Sequence, residues 1–161
     1  MYWTAGGFGW KGGHNSIASP VTSTFWIMPE GATVPIAYGK LRTEILLANP
    51  NSKDAFITAR FLLTTGQVVV KNYTIPYYQR KTIVCNDITE LFDKAFSTVV
   101  AADAPIVVER SMYWDVDTPS VITRAGGTCS MGIPQGVGGG GELPPGQPRK
   151  YITRIDDWEI Y

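Results

Sequence analysis

Ala55-Phe56-Ile57-Thr58-Ala59-Arg60-Phe61-Leu62-Leu63-Thr64-Thr65-Gly66-Gln67-Val68-Val69-Val70-Lys71-Asn72-Tyr73-Thr74-Ile75 decides the fold. Ile57, Ala59, Phe61 and Leu63 recur every second residue, with Thr58 and Arg60 between them. Val69, Tyr73 and Ile75 repeat the pattern against Asn72 and Thr74. A period of two is what a half-buried strand requires, because successive side chains point to opposite faces. Thr64-Thr65-Gly66 is a short turn between the two runs, so they form a hairpin.

Working outward, Thr43 to Ala48 reads as a compact apolar strand, closed by the turn cluster Asn49-Pro50-Asn51-Ser52. Arg80 to Cys85 and Phe96 to Ala101 are further strands. Pro105 to Trp114 is the longest, with Ile106, Val108, Met112 and Trp114 on one face. A helical turn fits Asn86 to Phe92, capped by Asn86 or Asp87, because Glu90 falls three residues after Asp87. Nothing else has sustained helical periodicity. Several short strands punctuated by turns predict an all-β chain, an antiparallel β-sandwich of jelly-roll-like type with that one helical turn.

Composition agrees. The 161 residues hold 14 basic and 14 acidic side chains, 44% are apolar and only 17% charged. That is enough apolar material for one core, and too little charge for a disordered or coiled-coil chain. A neutral balance without a basic block offers nucleic acid no electrostatic footprint, so no nucleic-acid partner is expected. No apolar run is long enough to cross a bilayer, and Met1-Tyr2-Trp3 opens no secretion signal. Cys85 and Cys129 either form one disulfide or remain two buried thiols.

The sequence echoes itself. Met1-Tyr2-Trp3 returns as Met112-Tyr113-Trp114, and Gly12-Gly13-His14-Asn15-Ser16-Ile17-Ala18-Ser19-Pro20 returns as Gly126-Gly127-Thr128-Cys129-Ser130-Met131-Gly132-Ile133-Pro134. The displacements are 111 residues (Tyr2 to Tyr113) and 114 residues (Gly12 to Gly126). One domain-length period with the same junction at both ends implies a unit of a tandem array. The expected organisation is a junction and glycine-rich loop over 1–23, a sandwich over 24–134, a Gly/Pro linker over 135–148 and a strand-like tail over 149–161.

Trp26, Glu30-Gly31, Ile45-Leu46-Leu47, Asn49-Pro50-Asn51, Pro76, Arg80-Lys81-Thr82, Asn86-Asp87 and Pro105 to Trp114 together resemble a tandem module of bacterial exported and surface-attached proteins. The resemblance runs from about Thr24 to Pro134 and is strongest in the last strand. More distantly, the Trp-x-x-x-Glu-Gly opening and the Asn-Asp and Pro-Ile-Val-Val segments are similar to the transducers of microbial sensory rhodopsins. That family implies a β-sandwich that oligomerises, and no catalysis. His14 becomes Thr128 in the second junction, so the copies share no role for it, and nothing beyond Pro134 has a counterpart.

Motifs of chemistry are few. Gly7-Phe8-Gly9-Trp10-Lys11-Gly12 has dinucleotide-site spacing without the strand and helix such a site needs, and reads as a loop. His14 is the only histidine, beside Ser16 in glycine-rich chain, and two cysteines with one histidine make no closed zinc set. Asp115 with Asp117, and Asp156 with Asp157 and Glu159, lack a complete calcium loop. Neither cofactor nor metal is expected. Glu109 and Arg110 fall on opposite faces of the longest strand, with Arg80, Glu44 or Glu30 as partners for them. Trp26 and Trp114 belong to strands and are assigned to the core.

A non-enzymatic extracellular or cell-surface module is therefore expected: a spacer, scaffold or self-assembling filament subunit, partnered by itself or by adjacent repeats. The assembly residues are Met1, Tyr2 and Trp3 at one end. At the other they are Tyr151, Ile152, Ile155, Trp158, Ile160 and Tyr161, which alternate in two phases on a flexible Gly/Pro leash and so add as a C-terminal strand. The alternative is a carbohydrate-binding module of a secreted protein, in which Trp10, His14 and Trp158 contact a surface glycan.

Overall fold

The computed structural model describes residues 2–3, 12–13, 15–36, 39–118 and 121–135, with the backbone alone at 2–3, 12–13, 115–118 and 121–125. The expected tail strand and linker lie outside them. Among the described residues eleven strands follow in chain order. They are β1 (Tyr2–Trp3), β2 (Gly12–Gly13), β3 (Ser23–Met28), β4 (Pro35–Ile36), β5 (Gly39–Ala48), β6 (Ala55–Leu63), β7 (Val68–Ile75), β8 (Arg80–Val84), β9 (Phe96–Thr118), β10 (Val121–Met131) and β11 (Ile133–Gln135). All the pairings are antiparallel, and the fold is the expected all-β sandwich.

β9 organises it. Its first half lies between β3 and β6, which gives one sheet the order β11-β3-β9-β6-β7. Its second half lies between β10 and β5, with β8 and β4 on the far side of β5. The two strands expected at Phe96 to Ala101 and Pro105 to Trp114 are thus one strand of 23 residues that passes from sheet to sheet. The ladder with β6 ends at Ala102 and that with β5 begins at Val107. Pro105 falls between, where its missing N–H costs no ladder bond. Side chains take up the backbone at this handover: Asp103 Oδ1 accepts from the Phe56 amide at 2.8 Å, and Asn51 Nδ2 donates to the Pro105 carbonyl at 2.8 Å.

The Asn49-Pro50-Asn51-Ser52 cluster does more than turn the chain. Asn49 is buried, and its Nδ2 lies 2.9–3.2 Å from the Lys53, Ile75 and Pro76 carbonyls. Its Oδ1 accepts from the Asn51 amide and side chain. One side chain therefore ties the ends of β5, β6 and β7 together. At the β6–β7 turn Gly66 takes φ 83°, a left-handed conformation that disfavours any side chain.

The helical turn is realised as two single 3-10 turns, Cys85–Asp87 and Thr89–Leu91, neither with a side-chain cap. Asn86 is occupied elsewhere: its Oδ1 accepts from the Thr43 amide at 3.1 Å and its Nδ2 donates to the Leu41 carbonyl at 2.9 Å. It fastens the segment to β5 instead of capping a helix.

Between the sheets lies one apolar cluster that includes Trp26, Ile45, Leu47, Ile57, Phe61 and Val108. Phe61 and Phe96 meet edge to face with centroids 5.5 Å apart. The Trp26 indole is fully buried, and its N–H points to the Ser23 and Ile106 carbonyls at 3.0 and 3.2 Å. Trp114 departs from its assignment. It is 39% exposed and lies over a glycine of β10 at the margin of the sheet.

Candidate functional site

Three features of the described residues carry chemistry or surface. The first is the outer face of the five-stranded sheet. Registers align Ile133 of β11, Ile27 of β3, Val99 of β9, Arg60 of β6 and Val70 of β7 in one row across all five strands. Phe56, Val68, Val70 and Ile133 are exposed on this side by 48–61%. A sheet face normally carries polar residues outward. This one mixes the two: Phe56, Val68, Val70 and Ile133 are exposed among Thr58, Arg60, Asn72, Thr74 and Asp103, and Val99 in the row is buried. Among the described residues β7 pairs only with β6 and no strand lies along its other edge.

The second is the hairpin of β9 and β10. Tyr113 stands opposite Gly127 and Trp114 opposite Gly126. A Cβ at Gly126 would come within 2.2 Å of the Trp114 indole, and one at Gly127 within 2.8 Å of the Tyr113 ring. The rings occupy the space a side chain would take, so each aromatic demands glycine across from it. β1 and β2 pair in the same register: Tyr2 opposite Gly13, Trp3 opposite Gly12. The echo read from the sequence is therefore an echo of backbone pairing.

The third is a set of buried polar groups. Arg110 is 6% exposed, and its Nη1 meets Glu30 Oε2 at 2.6 Å and the Glu30 carbonyl at 3.2 Å. Glu30 is thus the partner among those expected for it. Arg110 Nε has no hydrogen-bond partner among the described residues. Glu30 also lines a surface depression of about 420 Å³ with Pro29, Leu62, Leu63 and Phe96, where its carboxylate is already committed to Arg110.

Cys85 and Cys129 are both buried and no disulfide joins them. Burial, with the Glu44 carboxylate adding to it, pushes the Cys85 thiol from 9.0 to about 12. Burial also raises Cys129, against a lowering contact from the Ser16 hydroxyl 3.7 Å away. The thiolate is the reactive form, so Cys85 is a packing group and no nucleophile. Two measurements follow. At pH 8 its alkylation in the folded chain should be about 10³-fold slower than after unfolding, from ionisation alone. Its folded value is the raised one, so the stability it contributes is complete below pH 9 and lost as pH rises towards 12. Melting curves from pH 8 to 11 should fall, and Cys85→Ala should flatten the fall. An unchanged slope in that variant would refute the assignment.

Of the residues expected to bind or assemble, Met1, Trp10, His14, Tyr151, Ile152, Ile155, Trp158, Ile160 and Tyr161 lie outside the described residues. Tyr2 and Trp3 are placed by their backbone in β1. Sequence reasoning missed the outer face. The signal was present in Phe56, Leu62, Val68 and Val70, which fill the positions between the core residues of the same hairpin.

The fold and this surface define an antiparallel β-sandwich, a class shared with two solved structures. The crystal structure of Thermotoga maritima 1070 superposes with a TM-score of 0.59 at 16% identity, covering 71% of this chain and 96% of that one. The Anabaena sensory rhodopsin transducer superposes with a TM-score of 0.50 at 22% identity, covering 55% of this chain and 86% of that one. At such identities the likeness is one of fold, and it bears out the distant similarity read from the Trp-x-x-x-Glu-Gly and Pro-Ile-Val-Val segments. No protein-family model and no curated protein matches the chain.

Proposed function

We propose that this chain is a non-enzymatic structural module of an extracellular or cell-surface assembly. It serves there as a spacer, scaffold or self-assembling filament subunit, and its partners are copies of itself or adjacent repeats. The observation that carries the reading is the exposed apolar positions Val68, Val70, Phe56 and Ile133 on the outer face, with Val68 and Val70 beside the half-buried Leu62. Exposed large apolar side chains grouped on a sheet face support contact with another molecule. The edge of β7, along which no strand lies among the described residues, supports strand addition, and the alternating tail over 149–161 is the segment suited to supply the strand.

Light scattering on the chain with and without residues 149–161 tests this. Multiples of the monomer mass that collapse on tail deletion are expected. A monomer in both forms at high concentration would end the self-assembly reading. A glycan-binding reading has one observation in its favour: Tyr77 and Tyr78 are both exposed, with ring centroids 6.0 Å apart. Polysaccharide binding lost in Tyr77→Ala/Tyr78→Ala would favour it.

A further inference from the structure

We propose that the corner formed by Tyr77 and Tyr78 is a docking site for a polyproline II segment, and that its occupant is this chain's own Pro144-Pro145-Gly146-Gln147-Pro148-Arg149-Lys150. The inference goes beyond the reading above, since it needs neither self-assembly nor a strand from the tail.

The turn that leaves β7 builds the site. The Gln79 amide donates to the Pro76 carbonyl at 3.2 Å, so Tyr77 and Tyr78 are the two central residues of the turn. Tyr78 takes φ 55°, a left-handed conformation that glycine adopts freely and a bulky side chain rarely does. Strain of this kind persists where the surroundings hold it, and here the Tyr78 amide also donates to the Asn51 carbonyl at 3.2 Å. The two rings are 58% and 70% exposed, and they stand at 83° to each other with centroids 6.0 Å apart. Two perpendicular aromatic rings make a corner that a compact, rigid, apolar pyrrolidine ring can fill. Aromatic-lined grooves take proline-rich segments because polyproline II is ordered before it binds. Acidic groups border the corner. Asp54 Oδ1 accepts from the Tyr77 amide at 3.1 Å, and Asp103 Oδ1 accepts from the Phe56 amide two residues further along. Both aspartates are exposed, and neither makes an ion pair among the described residues.

Sequence and topology supply the occupant. Pro145 and Pro148 are three residues apart, one turn of polyproline II, so they share a face. Arg149 and Lys150 follow at once, opposite in charge to Asp54 and Asp103. The registers align Gln135, Phe25, Ala101, Thr58 and Asn72 in one row from β11 to β7. Those four antiparallel steps make β11 run in the same direction as β7, so the chain leaves Gln135 towards the end where Tyr77 stands. Four spacings of about 4.8 Å across the sheet and five residues of about 3.3 Å along it put Tyr77 about 25 Å from Gln135. The stretch from Gln135 to Pro145 reaches about 33 Å when extended. The glycine-rich tether therefore spans the gap, and holds the segment near the rings at an effective concentration of about 1 mM.

Trypsin cleavage after Arg149 and Lys150 of the full-length chain tests this. The C-terminal fragments are read by mass spectrometry, and each rate is divided by that of a free peptide of the same sequence over 143–156. With a dissociation constant of about 0.1 mM for the separated segment, it is free about a tenth of the time, so cleavage should be about tenfold slower than in the peptide. Tyr77→Ala/Tyr78→Gly removes both rings, and glycine accepts φ 55°. Neither ring belongs to the core cluster, so the melting temperature should not fall while cleavage rises about tenfold. Pro144→Ala/Pro145→Ala/Pro148→Ala should have the same effect from the other side of the contact. Cleavage as fast in the native chain as in the peptide would overturn the proposal. So would protection that survives either set of substitutions. Protection that grows with protein concentration would give the segment to a second copy, and overturn docking within one chain. The readout does not depend on oligomeric mass, so its failure is separable from failure of self-assembly.

Discussion

Trp26→Ala is expected to destabilise the chain by about 4–5 kcal/mol, the upper part of the range for a buried aromatic. Three terms point the same way. The indole is completely buried in the cluster between the sheets, so its whole apolar surface returns to water on unfolding. Its removal leaves a cavity lined by a rigid sheet, which relaxes little. It also strips the hydrogen-bond donor from the Ser23 and Ile106 carbonyls, at the edge of the handover where β9 changes sheets. Trp26→Phe keeps most of the ring and loses the donor, so it should cost about half as much. Urea denaturation of the three proteins reads both values. A loss below about 1.5 kcal/mol for the alanine variant would show that the cluster does not depend on this residue.

Glu30→Ala should cost more than Arg110→Met, although Glu30 is the exposed partner and Arg110 the buried one. Removing Arg110 leaves a carboxylate whose side chain is 68% accessible to water, and Met refills the volume with apolar atoms. That change should be within about 1 kcal/mol of neutral. Removing the Glu30 carboxyl leaves a buried guanidinium that, among the described residues, has no partner at Nε and keeps the Glu30 carbonyl at 3.2 Å. A stranded buried charge costs about 3 kcal/mol, reduced here to about 2–3 because one side of the pair faces solvent. The double variant should resemble Arg110→Met alone. Equal losses from the two single variants would mean that the pair is held by the exposed carboxylate's environment, contrary to this ordering.

Much of the sandwich was legible in the residues. The alternation from Ala55 to Ile75 and the Gly66 turn specify a hairpin with almost no help from the rest of the chain, because strand period and turn geometry are local. The single strand of β9 was partly legible too. Phe96, Thr98 and Val100 share their phase with Ile106, Val108, Arg110 and Met112, so the inward face runs unbroken past Pro105. A proline in a strand suggests a boundary. Only the gap in the ladders explains why this one is tolerated. The cap expected from Asn86 failed for a related reason: β5 offered its side chain two backbone partners that sequence distance conceals.

That the chain is all-β, where most of its turns fall, and that Tyr-Trp and Gly-Gly occur twice in the same order can be read from the residues alone. These follow from side-chain period and residue type, which act over a few neighbouring residues. That the two echoes pair alike, and that β2 lies near β10, emerges from the folded chain. The tertiary structure also decided that Glu30 is the residue that answers Arg110, and that the second face of the β6–β7 hairpin aligns with Val99, Ile27 and Ile133 in one row over five strands. Each of these depends on which distant segments share a ladder, and that choice is made by packing of the whole chain, where no local period reaches.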